Sequence, residues 1–241
     1  MNNRYAILLE CDPGNTLGGS CKRDIENMAK CFIDNEKIPN ENIYLLTTSK
    51  YISKCNNVIC DQSKNIFTIF DLILLKNPEL VIILLSGHGY SVRDNDGDEI
   101  DGRDEAINVG YQILDDHIYT NIVKKLNCKA ILLADTCHSG TMFDLPYIYD
   151  GNKTITGTKR KDIFNNMILS LSACGDNQLS MCDIGDKTGF GGSLTTSLLN
   201  IDNVMDRLLE FNIDKEFYSL IQNRLKMLNQ KLILGSTKII L

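Results

Sequence analysis

The sequence lacks several features that would assign it to common classes of protein. It contains no tryptophan and only four prolines, and its 25 Lys and Arg residues are outnumbered by 31 Asp and Glu residues. An acidic chain with scattered basic residues is not expected to bind nucleic acid or an anionic membrane. No apolar run reaches the roughly 18 residues of a membrane-spanning helix, and Met1–Arg4 does not begin a signal peptide. We therefore expect a soluble, cytoplasmic protein.

The distribution of cysteine and histidine argues against two kinds of structural site. Nine cysteines form an odd number without the dense spacing of a secreted disulfide scaffold, so reduced thiols are expected. There is no Cys-x-x-Cys pair, and the three histidines, His88, His117 and His138, are dispersed, which argues against structural zinc. Five cysteines are interpreted as packing residues: Cys11, Cys31, Cys128, Cys174 and Cys182.

The remaining pattern is an alternation of strands and helices. With 241 residues, 43% of them hydrophobic, the chain can form one domain of generous size. Alternating apolar runs and helical periodicities predict an α/β fold, a mostly parallel central sheet with helices on both faces. Strands are predicted over 5–11, 42–47, 80–86, 129–135, 167–173 and 232–241. Helices are predicted over 21–35, 63–76 (N-cap Ser63), 115–126, 192–199 and 214–228 (N-cap Asp214).

Two predicted strands end in reactive side chains. The apolar run 80–85 leads into Ser-Gly-His-Gly, which contains His88, and the run from residue 129 leads into Asp-Thr-Cys-His-Ser-Gly, which contains Cys137. A thiolate is a strong nucleophile, and a neighbouring imidazole can take the thiol proton at neutral pH. The histidine lies 49 residues before the cysteine, as in caspase-type rather than papain-like enzymes. We predict a catalytic dyad, with the amides of Gly89 and Cys137 as an oxyanion hole.

These two motifs resemble the catalytic signatures of metacaspases, the caspase relatives of plants, fungi and protists. The resemblance extends through residues 97–105, 115–116, 140–147 and 171–178, whereas the Gln-Ala-Cys sequence of caspases is absent. It implies a monomeric cysteine endopeptidase of caspase-like fold, similar to type I metacaspases without their Pro- and Gln-rich prodomain. A large part (1–149) and a small part (163–241) would share one sheet.

The polar segment 150–162 between these parts predicts an exposed linker, because it carries two glycines and little periodicity. It contains the basic residues Lys159, Arg160 and Lys161. A peptidase that cleaves after basic residues could cut its own chain here. The alternative is an uncut, solvated run of charge.

The acidic segment 93–105 predicts either a solvated loop or a calcium site. Asp94, Asp96, Asp98 and Glu105 fall at EF-hand positions, but Glu99 stands where that loop requires glycine, so we reject an EF-hand. The metacaspase resemblance implies a different Ca²⁺ site, with activation in the millimolar range. Its ligands would be Asp104, Asp115, Asp116 and Asp144.

Substrate preference is predicted from acidic residues near the nucleophile. Asp135 lies two residues before Cys137, so both side chains leave the strand on the same face, where a carboxylate would pair with a basic group. The resemblance adds Cys21, Asp24 and Ser86 to this pocket. It implies protein or peptide substrates cleaved after Arg or Lys.

Two other functions stay open at this point. A calcium-responsive, catalytically weak caspase-fold scaffold or proteostasis factor would use the fold for binding, although intact His88 and Cys137 argue against it. Another caspase-fold peptidase, such as a legumain relative, would cleave after Asn and would not require calcium.

Overall fold

The computed structural model describes residues 3–47, 55–59, 66–181 and 191–241; the predicted cap Ser63 and the cysteine Cys182 lie outside them. The strands in chain order are β1 (Arg4–Cys11), β2 (Ile43–Leu46), β3 (Asn57–Ile59), β4 (Leu80–Gly87), β5 (Gly89–Arg93), β6 (Arg103–Asn108), β7 (Gln112–Leu114), β8 (Lys129–Thr136), β9 (Tyr147–Tyr149), β10 (Thr154–Thr156), β11 (Ile168–Ser172) and β12 (Ile233–Ser236). The helices are α1 (Ser20–Asp34), α2 (Ile66–Leu74), α3 (Asp115–Asn121), α4 (Ser193–Asn200), α5 (Val204–Leu209) and α6 (Lys215–Lys226).

The described strands form one large and one small sheet. The large sheet has the order β10-β9-β12-β11-β8-β4-β1-β2-β3. The six strands from β11 to β3 are parallel to their neighbours, whereas β12, β9 and β10 pair antiparallel at the other edge. The small sheet, β5-β6-β7, is antiparallel. The prediction of an α/β fold with a mostly parallel central sheet is confirmed.

Helices cover both faces of the large sheet. One hydrophobic cluster packs α1, α4, α5 and α6 against one face, and a second packs α2 and α3 against the other. Every residue of β4 is buried, as expected for a central parallel strand covered on both sides. Helix α1 buries Cys21, Ile25, Met28, Ala29 and Phe32, the face that helical spacing predicted. None of the helices in the described residues is long and apolar enough to cross a membrane.

Several elements differ from the prediction at their ends. The helix expected over 115–126 stops at Asn121, because Ile122 turns out of the helical conformation (φ -122°, ψ -70°) and a 3-10 turn, Val123–Lys125, follows. Burial of Ile122 and Val123 in the second cluster favours this break. The last strand covers Ile233–Ser236 only. The cap prediction for α6 is confirmed, since the Asp214 carboxylate accepts the amide of Phe217 at 2.8 Å.

The segment 150–162 is less exposed than predicted. Its residues Thr154–Thr156 form β10, which pairs with β9, and the β-branched Thr-Ile-Thr sequence favours this strand. Gly157 and Thr158 are buried, and the Arg160 side chain is 16% exposed. The prediction of an exposed loop is therefore wrong for this part of the segment.

None of the seven cysteines among the described residues forms a disulfide bond. Cys11, Cys128 and Cys174 are buried in the interior, which fits their interpretation as packing residues. Cys31 is partly exposed.

Candidate active site

Neighbouring parallel strands bring His88 and Cys137 to the same edge of the large sheet. In the β4–β8 pair Ser86 lies opposite Asp135 and Gly87 opposite Thr136, so the next residues on each strand are the predicted dyad. Both line one cavity of about 40 Å³. The four predicted substrate-binding residues line the same cavity: Cys21, Asp24, Ser86 and Asp135.

Gly89, the other predicted oxyanion-hole residue, lies against the nucleophile loop. A Cβ atom at position 89 would come within 2.0 Å of the carbonyl oxygen of Cys137, a distance at which atoms overlap. Only glycine therefore lets β5 approach the loop this closely. The oxyanion-hole role of Gly89 and Cys137 stays a prediction.

The imidazole of His88 is held by two residues that the sequence analysis missed. Its Nε2 lies 2.6 Å from Thr16 Oγ1 and 3.6 Å from Asp12 Oδ1. Asp12 is 1% exposed, and its Oδ1 accepts both the amide and the hydroxyl of Thr16 at 2.9 Å. Because the hydroxyl gives its single proton to the carboxylate, the imidazole donates from Nε2 to Thr16 Oγ1. Nδ1 is then left as the proton acceptor.

Asp12 could have been found from its position. It directly follows β1, whose last residue, Cys11, pairs with Gly87 of β4, and the carboxyl edge of an open sheet is where functional side chains collect. Thr16 had no comparable signal, because its contact depends on the path of the loop after β1.

Replacing Thr16 by valine is expected to lower kcat on the order of 100-fold while KM changes little. Valine keeps the shape of the side chain but removes the hydroxyl that fixes the imidazole, and small errors in catalytic geometry have effects of this size. Steady-state kinetics would separate the two constants. Thr16→Ser keeps the hydroxyl and should retain near wild-type kcat. Equal losses in both variants would contradict this positioning role.

The Cys137 thiol lies against the backbone of Ser180. Its Sγ accepts the amide of Ser180 at 3.3 Å and lies 3.7 Å from the Ser180 carbonyl oxygen. Burial raises the pKa of the thiol above its ordinary value, and the charge of Asp135 raises it further. A thiol with a raised pKa needs a base to react at neutral pH, and His88, the predicted base, lines the same cavity.

Two buried carboxylates, those of Asp24 and Asp135, line the cavity. Asp24 Oδ2 accepts the hydroxyl of Ser86 at 2.6 Å, and both of its oxygens accept the amide of Gly192 at 2.9 Å. Asp135 Oδ2 accepts the amide of Thr195 at 2.7 Å. Burial raises the pKa of both carboxyl groups, and that of Asp24 also rises because Asp135 is near. These donors are neutral, so a cationic side chain would add charge complementarity here.

The segment that follows β11 contributes two residues to the lining of the cavity. Ser180 donates its hydroxyl to Asp135 Oδ1 at 3.1 Å and, together with Met181, lines the cavity. A volume of about 40 Å³ holds about one water molecule. An arginine or lysine side chain is larger than this volume.

Three of the four predicted calcium ligands are close together. Asp104, Asp115 and Asp116 each offer a carboxylate oxygen within 4.8 Å of the others. Asp104 is 1% exposed, yet neither of its oxygens has a hydrogen-bond partner. The fourth predicted ligand, Asp144, groups instead with Asp98 and Glu99.

The electrostatics of this cluster favour a cation. Burial and the surrounding carboxylates raise the pKa of Asp104 to about 6 and that of Asp115 to about 8. A buried oxygen-rich cluster with unpartnered Asp104 matches the donors that Ca²⁺ requires, so the residues fit this ion.

The three self-cleavage candidates lie outside the cavity that His88 and Cys137 line. The Lys159 ammonium donates to the carbonyl oxygens of Gly97 and Glu99. Arg160 pairs with Asp116 and Asp144, and Lys161 is exposed. None of them lines the described cavity around Cys137. Self-cleavage stays a prediction.

Comparison with known proteins gives consistent matches. The family model described as "Metacaspase, peptidase C14 domain" matches residues 4–146, which include both members of the predicted dyad. Metacaspase-1A of Neurospora crassa is 34% identical over 138 residues, covering 54% of this chain and 30% of the relative. Metacaspase III c of Phaeodactylum tricornutum is 34% identical over 146 residues, covering 56% of this chain and 42% of the relative.

Metacaspase-1 of Eremothecium gossypii is 28% identical over 217 residues, 85% of this chain and 44% of that protein. The chain thus spans less than half the length of each of these relatives. The family resemblance carried by the motifs around His88 and Cys137 is confirmed by the match to the family model, and the chain belongs to the metacaspase family.

Proposed function

We propose that this chain is a cysteine endopeptidase that cleaves proteins after Arg or Lys. The observation that carries the proposal is the shared cavity of His88, Cys137 and Asp135 at the carboxyl edge of β4 and β8. His88 takes the thiol proton while Cys137 Sγ attacks the scissile carbonyl carbon, and the imidazolium then protonates the leaving amine. Water, activated by the same imidazole, hydrolyses the thioester and regenerates the thiol.

The charge of the cavity supports a basic residue before the scissile bond. Asp24 and Asp135 are 2% and 4% exposed, and a guanidinium or ammonium group between them would pair with carboxylates that accept the hydroxyl of Ser86 and the amide of Thr195. An acidic side chain would be repelled there. This is the opposite of the preference for aspartate in caspases.

Calcium dependence is part of the proposal. Asp104, Asp115 and Asp116 would hold the ion together with Asp144. A bound Ca²⁺ would supply positive charge that ties the start of β6 and the start of α3 to the segment after Cys137.

A panel of fluorogenic peptides tests the proposal. With added calcium, peptides ending in Arg or Lys should be hydrolysed, while peptides ending in Asp or Asn should not. Excess chelator should abolish at least about 90% of the rate if the ion orders the cleft. Hydrolysis after Asn without calcium would favour a legumain-like peptidase, and an absence of any Cys137-dependent hydrolysis would favour a binding scaffold. Equal rates with chelator and calcium would remove the calcium requirement alone.

A further inference from the structure

The acidic cluster consists of Asp96, Asp98, Asp104, Asp115, Asp116 and Asp144. It already contains a cation that belongs to the chain itself. Arg160 reaches it from the segment after β10, and its Nε lies 2.6 Å from Asp98 Oδ2 and 3.3 Å from Asp144 Oδ2. Its Nη2 pairs with Asp116 Oδ1 and lies 3.5 Å from Asp96 Oδ2. One guanidinium therefore contacts four carboxylates.

Other contacts hold the same segment against the cluster. The Arg160 guanidinium stacks over the ring of Tyr119 with 4.4 Å between Cζ and the ring centroid. The amide of Lys159 donates to the carbonyl oxygen of Asp98 at 2.9 Å, and Tyr119 donates its hydroxyl to Asp162 at 2.6 Å. The backbone on both sides of Arg160 is thus fixed beside the cluster.

Arg160 uses the oxygens that the calcium site needs. Asp116 and Asp144, two of the four proposed ligands, both pair with its guanidinium. The guanidinium contacts Asp144 Oδ2 while Asp144 stays outside the group formed by Asp104, Asp115 and Asp116. Calcium ligands approach the ion to 2.3–2.6 Å, which leaves no room for a guanidinium between the same oxygens.

Asp98 is the residue that connects these acidic groups. It offers an oxygen within 4.8 Å of Asp104 in one group, of Asp116 in another and of Asp144 in a third. It also lies closer to Arg160 Nε than Asp144 does, at 2.6 Å against 3.3 Å. Once Arg160 leaves, the Asp98 carboxylate is free to contact a metal ion bound by Asp104, Asp116 and Asp144.

We propose that Arg160 and a divalent cation compete for these carboxylates, with Asp98 as an additional ligand of the ion, and that cation binding releases segment 157–162. The inference rests on the proposed calcium site and goes beyond it, because it assigns the chain an internal competitor. Release would expose the peptide bonds after Lys159, Arg160 and Lys161, which the present contacts hold beside the cluster.

Calcium titration calorimetry on the full chain in a Cys137→Ala background, which prevents self-cleavage, tests the competition. Removing the competitor with Arg160→Ala should tighten calcium binding roughly tenfold, because a site filled by Arg160 is competent for only a fraction of the time. Asp98→Asn should weaken binding by a similar factor. Lys161→Ala removes a like charge from the same segment without touching the cluster, and should leave the affinity unchanged.

Limited trypsin digestion with mass spectrometry tests the release. Calcium should accelerate cleavage after residues 159–161 several-fold in the Cys137→Ala parent, whereas Arg160→Ala should be cut after Lys159 and Lys161 equally fast with and without calcium. If Arg160→Ala fails to fold, the digestion rates of the Cys137→Ala parent with and without calcium still test the release of the segment. Calcium binding of equal strength in the parent and in Arg160→Ala, or an unchanged digestion rate, would overturn the competition and leave the calcium site standing. An absence of calcium binding in every variant would overturn both.

Discussion

Replacing His88 by alanine is expected to lower kcat for an Arg peptide by about 1,000-fold at pH 7, within the range that general-base catalysis contributes. The reason is the state of the nucleophile. Burial beside Ser180 raises the pKa of the Cys137 thiol, so little thiolate exists at neutral pH without a base. Steady-state kinetics with active-site titration would measure the loss.

The pH dependence of His88→Ala distinguishes loss of the base from loss of structure. Below the pKa of a thiol its thiolate fraction rises tenfold for each pH unit, so the residual activity should increase steadily toward alkaline pH. His117→Ala is the matched control, because His117 is exposed on α3, and it should keep wild-type kcat and pH profile. A residual activity that stays flat with pH would contradict the role of His88 as base.

The parts of the fold that follow from sequence are those with a strong local pattern. β4 and β8 are continuous apolar runs that end in turn residues, and α1 repeats its buried residues at helical spacing. Adjacent parallel strands end at one edge, so the placement of His88 and Cys137 at the same edge follows from strand order and direction once the sheet is assumed.

The elements that were missed depend on tertiary pairing. β9 and β10 have three residues each and exist because they extend the edge beyond β12, and the small sheet forms around a segment whose charges suggested a loop. The contact of Arg160 with Asp98 joins residues 62 positions apart in chain order. No periodicity in the sequence encodes such a pair, and the linker therefore appeared exposed.

Replacing Asp135 by asparagine is expected to reduce kcat/KM for Arg peptides by about 100-fold or more. Asparagine keeps the shape and one oxygen acceptor for Thr195 or Ser180, but removes the charge that a buried guanidinium needs. Loss of one partner of a desolvated charge pair costs about 2–5 kcal/mol, and about 3 kcal/mol corresponds to this factor. Rates for matched peptides ending in Arg and in citrulline would be compared for both enzymes.

Citrulline has nearly the shape of arginine without its charge, so the four rates form a double-mutant cycle that isolates the charge interaction. If Asp135 recognises charge, Asp135→Asn should lose activity on the Arg peptide and change little on the citrulline peptide. If Asp135 instead holds Thr195 and Ser180 in place, activity on both peptides should fall equally, because the substitution would distort the cavity whichever side chain enters it. Equal losses would therefore remove Asp135 from substrate selection and leave Asp24 as the other acidic residue among the described residues that line the cavity.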